Sequence, residues 1–141
     1  MSVECFLDTN VLVYSFDDGA PSKQERAREL IANSLRSGNG VISWQVVQEF
    51  LNVALHKWEK PMSPGDASDY LSGTLEPLCG VFPSPALWRT ALSLQARSQY
   101  RFYDTLIVAS ALQCGAKTLL SEDMQAGRRF GDLEIRDPFA A

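Results

Sequence analysis

Five short apolar runs, Val3–Asp8, Gly40–Ser43, Gly80–Phe82, Lys117–Leu120 and Leu133–Arg136, alternate with longer segments of helical period. This alternation constrains the chain more than any other feature. Strands separated by a helix cannot pair as tight hairpins, so they run mostly parallel, joined by right-handed crossovers that cover both faces of the sheet. The expectation is an α/β fold of three layers, α/β/α, around a central mostly parallel sheet of four or five strands. No repeat, linker or low-complexity tract interrupts the pattern, and 141 residues suit one domain spanning 1–141.

Helix signals fill the intervals. An apolar segment led by Asn10 follows the first strand and ends at Asp17-Asp18-Gly19. Ser22 with Glu25 three residues on reads as a capping box opening a helix to about Arg36, with Gly38 where a glycine stop belongs. From Trp44 to about Trp58, Val46, Val47, Phe50, Leu51 and Ala54 form an apolar stripe, and Gln45, Glu49, Asn52 and His56 a polar one. Ser63-Pro64 and Ser84-Pro85 each place a capping serine before a first-turn proline, the second opening a helix to about Gln99. A last helix begins near Asp104, and its TLIVASAL stretch is apolar almost all round, as a buried helix requires.

The apolar runs are far shorter than the roughly 20 residues that span a bilayer, and the opening MSVECFLDTN resembles no secretion signal, so a cytoplasmic protein without a membrane partner is expected. Cys5, Cys79 and Cys114 are widely spaced and read as free thiols. With His56 the single histidine, a zinc site of His and Cys at ligand spacing is nearly excluded, and any metal must be hard and oxygen-bound. Seventeen acids against thirteen bases leave a net charge of −4. That argues against a broad basic face for duplex binding, although bound divalent cations would offset it.

In parallel α/β sheets ligands bind beyond the carboxyl ends of the strands. Asp8 ends the first strand and Asp123 follows the fourth, with Glu122 beside it as a rival. Glu49 lies in the second turn of the helix after the second strand, and Asp104 starts the helix that feeds the fourth. All four are therefore directed to one rim. Gathered like charges repel unless a cation sits among them, and oxygen-only ligands select Mg2+ or Mn2+. Such an ion polarises a phosphoryl oxygen and activates water, which suits phosphodiester hydrolysis without a histidine base. By contrast, Asp66 and Asp69 are accounted for by capping and a solvated stripe, and Asp17-Asp18 by a turn.

FLDTNVLVY around Asp8, QEF around Glu49, RFYDTLIVASAL around Asp104 and LLSEDMQAG around Asp123 together resemble the PIN-domain nucleases, in particular the VapC-type toxins of VapBC toxin–antitoxin pairs. The resemblance runs from about Val3 to Phe139. It implies a PIN-like fold, a Mg2+- or Mn2+-dependent endoribonuclease acting on RNA, and metal-site roles for Asp8, Glu49, Asp104 and Asp123. It further implies Asn10 and Ser121 as polar supports, with Glu122 an auxiliary or rival ligand. A cognate antitoxin protein and a homodimer are the partners it implies. Met124-Gln125-Ala126-Gly127 departs from the family's more usual aromatic after the last acid. Arg89, Arg97, Arg101, Arg128 and Arg129 are candidate contacts to RNA phosphate.

Three other readings share parts of this pattern. A phosphatase of the haloacid-dehalogenase type also begins with an acid after its first strand, but normally wants a second acid two positions on, where Asn10 stands. A phospho-receiver needs a lysine near its acid pocket, and Lys117 falls at the opposite end of its strand. A catalytically inactive PIN-like protein-binding module would have no use for a full set of mutually repelling acids.

Overall fold

The computed structural model describes residues 3–140. Its centre is a six-stranded sheet in the order β3-β2-β1-β4-β6-β5, formed by β1 (Cys5–Leu7), β2 (Gly40–Ser43), β3 (Cys79–Val81), β4 (Thr118–Leu120), β5 (Arg129–Phe130) and β6 (Leu133–Arg136). Every pairing is parallel except β5 with β6. The sheet thus has one strand more than the four or five expected. The addition, β5, is two residues long and folds back on β6 after Gly131 at φ 62°, too short to leave a hydrophobic periodicity in the sequence.

The helices are α1 (Thr9–Tyr14), α2 (Pro21–Ser37), α3 (Trp44–His56), α4 (Pro64–Tyr70), α5 (Glu76–Leu78), α6 (Pro85–Arg97) and α7 (Phe102–Gln113), with a wide π-helical turn at Leu71–Leu75 joining α4 to α5. Pro77 accounts for the widening, since its ring cannot follow the carbonyl of Gly73 in a normal turn, and the Glu76 N–H reaches back to Leu71. Ser63 and Ser84 cap α4 and α6 as read, their hydroxyl oxygens accepting from the N–H groups of Asp66 and Leu87. Gly38 closes α2 in the left-handed region at φ 74°. The capping box at Ser22 does not form. Pro21, with its φ already helical and no N–H to satisfy, takes the first helical position, so Ala20 is the cap and Ser22 lies inside the exposed first turn.

Connections β1→β2→β3 step in one direction along the sheet, and β3→β4 steps back across β1. With right-handed crossovers, α1–α5 therefore cover one face and α6–α7 the other. Contacts agree, α1 packing on α2 and α3, and α6 along α7. Phe6, Leu7, Ile42, Leu119 and Ile135 are fully buried between these layers, and α7 is buried continuously from Thr105 to Ala111. In the helix pair around Leu30–Leu35 and Val46–Leu55, Ile31, Val46, Phe50 and Ala54 belong to the core, whereas Leu35 is exposed. The three cysteines are free and half-buried rather than deeply buried. No described helix is long and apolar enough to cross a membrane.

Candidate active site

Strand order reverses direction between β1 and β4, which are neighbours although their connections leave on opposite faces. A crevice opens at the carboxyl edge of such a switch point. Asp8 follows β1 immediately, and Ser121, Glu122 and Asp123 follow β4, so the chain delivers its polar residues to that crevice by strand register alone.

Asp8 is the centre of the cluster. It caps α1, its Oδ1 accepting from Thr9 N at 2.8 Å, while Oδ2 accepts from the Ser121 hydroxyl at 2.7 Å and from Asn10 Nδ2 at 3.4 Å. Only 7% of the residue is exposed. Burial, with smaller contributions from Glu49 and Asp123, pushes its carboxyl up to about 6 despite those donors. The Asn10 amide also reaches Ser121 Oγ at 3.2 Å and Asp123 Oδ2 at 3.3 Å, and its Oδ1 accepts from Glu122 N at 3.2 Å. Asn10 thereby ties the end of β1 to the turn after β4, and a carboxylate in its place would meet Asp8 and Asp123 as a third like charge.

Glu49 comes from α3. Its Oε1 accepts from the Thr9 hydroxyl at 2.9 Å, and burial raises its pKa, with donation from Thr9 and Gln45 opposing and the charge of Asp104 adding to the shift. Asp104 lies in the first turn of α7. The four acids are thus coupled in a line, Asp123 to Asp8 to Glu49 to Asp104. Among the described residues none of them has a Lys, Arg or His within ion-pair distance. Nor do any three acidic, histidine or cysteine side chains stand close enough together to enclose an ion as they are. The all-oxygen donor set, with a buried acid lacking any cationic partner, fits a hard divalent cation in chemistry; ligation would require the side chains to draw inward.

Glu122 is turned to other partners. Lys23 Nζ donates to its Oε2 at 2.5 Å and the Tyr14 hydroxyl to its Oε1 at 2.6 Å, and these hold its pKa below the usual range. Lys23 also lies 4.8 Å from the Tyr14 ring centroid. Asp123, by contrast, shares the Asn10 amide with Asp8.

A family model described as "PIN domain" matches residues 5–129, most of the chain. The chain belongs to the PIN domain family. Its fold is similar to that of FitAB in a structure bound to the IR36 DNA fragment, with a TM-score of 0.63 and 18% identity over 97% of this chain and 96% of that one. It is also similar to VapC20 of Mycobacterium tuberculosis, described as a sarcin-ricin loop cleaving toxin, with a TM-score of 0.58 and 15% identity over 85% of this chain and 92% of that one. No curated protein sequence matches.

Within this PIN domain, the polar residues missed in the sequence are Thr9, Tyr14 and Lys23. Thr9 stands inside the DTN run, yet only the approach of α3 shows that its hydroxyl serves Glu49. His56 is exposed at the far end of α3, away from the crevice, and Lys117 pairs with Glu4 at 3.7 Å at the amino ends of their strands. Met124, standing where the family more often has an aromatic nearby, is buried in the core.

Proposed function

We propose that the chain is a Mg2+- or Mn2+-dependent endoribonuclease, the toxin of a type II toxin–antitoxin pair. One observation carries this reading: Asp8, buried at the switch point with its carboxyl raised to about 6, is coupled to Glu49 and Asp123 with no cation to compensate it. Asp8, Glu49, Asp104 and Asp123 would hold the ion. When bound, the ion supplies Lewis acidity toward a phosphoryl oxygen and activates water for attack. Asn10 and Ser121 orient the Asp8 carboxylate, and Thr9 orients Glu49. Glu122, occupied by Lys23 and Tyr14, anchors the turn instead of ligating. Membership of the PIN domain family and the fold similarity to VapC20 support RNA as the substrate. A protein antitoxin and self-association into a homodimer belong to the same reading.

The test is cleavage of single-stranded RNA by the purified chain. Mg2+ or Mn2+ should permit cleavage, and a chelator or Asp8→Asn should abolish it. Cleavage surviving both would refute the mechanism. Hydrolysis of small phosphomonoesters with none of RNA would favour a phosphatase, a reading that Asn10 in its bridging position already disfavours.

A further inference from the structure

A phosphodiester chain longer than the group bound at the ion needs cationic contacts of the protein along its path. The arginines divide clearly on this point. Arg89, Arg97 and Arg101 are exposed, and Arg129 is drawn to Glu134 at 3.6 Å. Arg128 differs from all four. Half-buried, it packs against a corner formed by two aromatic rings that also contact each other, its guanidinium carbon 5.1 Å from the Tyr100 centroid and 4.9 Å from that of Phe130, with the two centroids 6.1 Å apart. Its Nη1 donates to Gln125 Oε1 at 3.1 Å. Among the described residues no carboxylate stands within ion-pair distance of it.

This aromatic corner is joined to the turn that carries Asp123. The backbone N–H of Gln125, two residues on, donates to the Tyr100 hydroxyl at 3.4 Å, and Arg128 N donates to Gln125 O at 3.2 Å. Tyr100 is itself held by Gln95 Nε2, which donates to its carbonyl at 2.7 Å. Both the acid and the cation therefore sit on one short segment between β4 and β5, braced by the connection between α6 and α7. Contact with the rings holds the guanidinium in place, and of its five N–H donors one is used by Gln125. A planar, preordered, charge-uncompensated fork matches a phosphodiester group, which accepts two parallel N–H bonds.

We propose that Arg128 is a phosphate-binding residue that grips the backbone of single-stranded RNA from the segment that carries Asp123, held there by the corner of Tyr100 and Phe130. This rests on the reading of the chain as a ribonuclease and names how that site holds its substrate. The segment Met124–Gly127, which departs from the family's usual aromatic, thereby carries a cation at its end.

The test measures binding of a fluorescent single-stranded RNA to the Asp8→Asn chain, with and without Arg128→Met, across a series of NaCl concentrations. Met keeps bulk against the rings and removes the charge; Arg128→Gln is a second variant that removes the charge with a polar group. Both should bind about 10-fold more weakly at low salt, and the slope of log affinity against log salt should flatten by about 0.7, the loss of one phosphate contact on a single strand. In the active chain, Arg128→Met should raise KM with kcat little changed. Unchanged affinity and slope, or a fall in kcat at constant KM, would overturn the proposal and leave Arg128 a support of the Asp123 turn. A chain that neither binds nor cleaves RNA overturns the ribonuclease reading as well.

Discussion

The hydroxyl of Thr9 donates to Oε1 of Glu49 at 2.9 Å, joining residues forty positions apart in the chain. Through it the first residue of α1 orients an acid on α3, while its backbone N–H donates to Asp8, the residue that caps α1. Thr9→Val, nearly isosteric, removes the donor and leaves Glu49 more readily protonated. It should lower RNA cleavage about 10-fold, the effect of one hydrogen bond to a charged group, while Thr9→Ser stays near the parent rate.

Asp8 sets a pH dependence of definite sign. Its carboxyl is raised from 3.8 to about 6 in the folded chain, so between those values the folded state holds a proton that the unfolded state has lost. Stability contributed by this group is therefore present at low pH and falls as pH rises toward 6, by about 3 kcal/mol in the limit. Asp8→Asn, which cannot ionise, should melt several degrees above the parent at pH 7.5, with a much smaller gain at pH 4.5. Mg2+ should raise the melting temperature of the parent more at pH 7.5 than at pH 5, where protons compete for Asp8. A melting temperature of the parent that climbs steadily from pH 4.5 to 7.5 without metal would contradict this assignment.

Glu122 and Asp123 are adjacent in sequence but separate in role. Glu122→Gln keeps an acceptor for Tyr14 and should leave cleavage nearly unchanged, whereas Asp123→Asn should cost more than the roughly 10–100-fold typical of residues that only support a ligand. Lys23→Met leaves Glu122 charged and unpaired beside the crevice. Cleavage should fall in that variant, and Glu122→Gln in the same background should restore it. Equal loss in Glu122→Gln and Asp123→Asn, measured as kcat, would show that both acids serve the chemistry.

Gly40 begins β2 directly beneath α2. A Cβ there would lie 1.9 Å from Ser34 Oγ and 2.6 Å from Ser34 Cβ, a contact no rotamer of Ser34 relieves. Gly40→Ala should destabilise the chain by about 1–3 kcal/mol through overpacking. Ser34→Gly in the same chain should recover part of the loss, read as the midpoint of urea unfolding.

Much of the architecture was legible locally because its causes are local. Strand runs at Gly40–Ser43 and Leu133–Arg136, serine caps at Ser63 and Ser84, and the left-handed stop at Gly38 each follow from a few neighbouring residues. Where two local signals competed, at Pro21 and Ser22, the fixed φ of proline prevailed. β5 escaped notice because a two-residue strand exists only through its pairing with β6.

The sequence by itself determined the alternation of strands and helices, and with it the rim to which Asp8, Glu49, Asp104 and Asp123 are directed, since periodicity and connection handedness are short-range properties. Only the tertiary structure decided that Thr9 serves Glu49, that Lys23 and Tyr14 claim Glu122, and that Arg128 packs against the rings of Tyr100 and Phe130. The physical reason is range. Hydrogen bonds, ion pairs and stacking act over a few ångströms between groups that the chain separates by up to about a hundred residues, so which donor meets which acid is settled only when the layers pack.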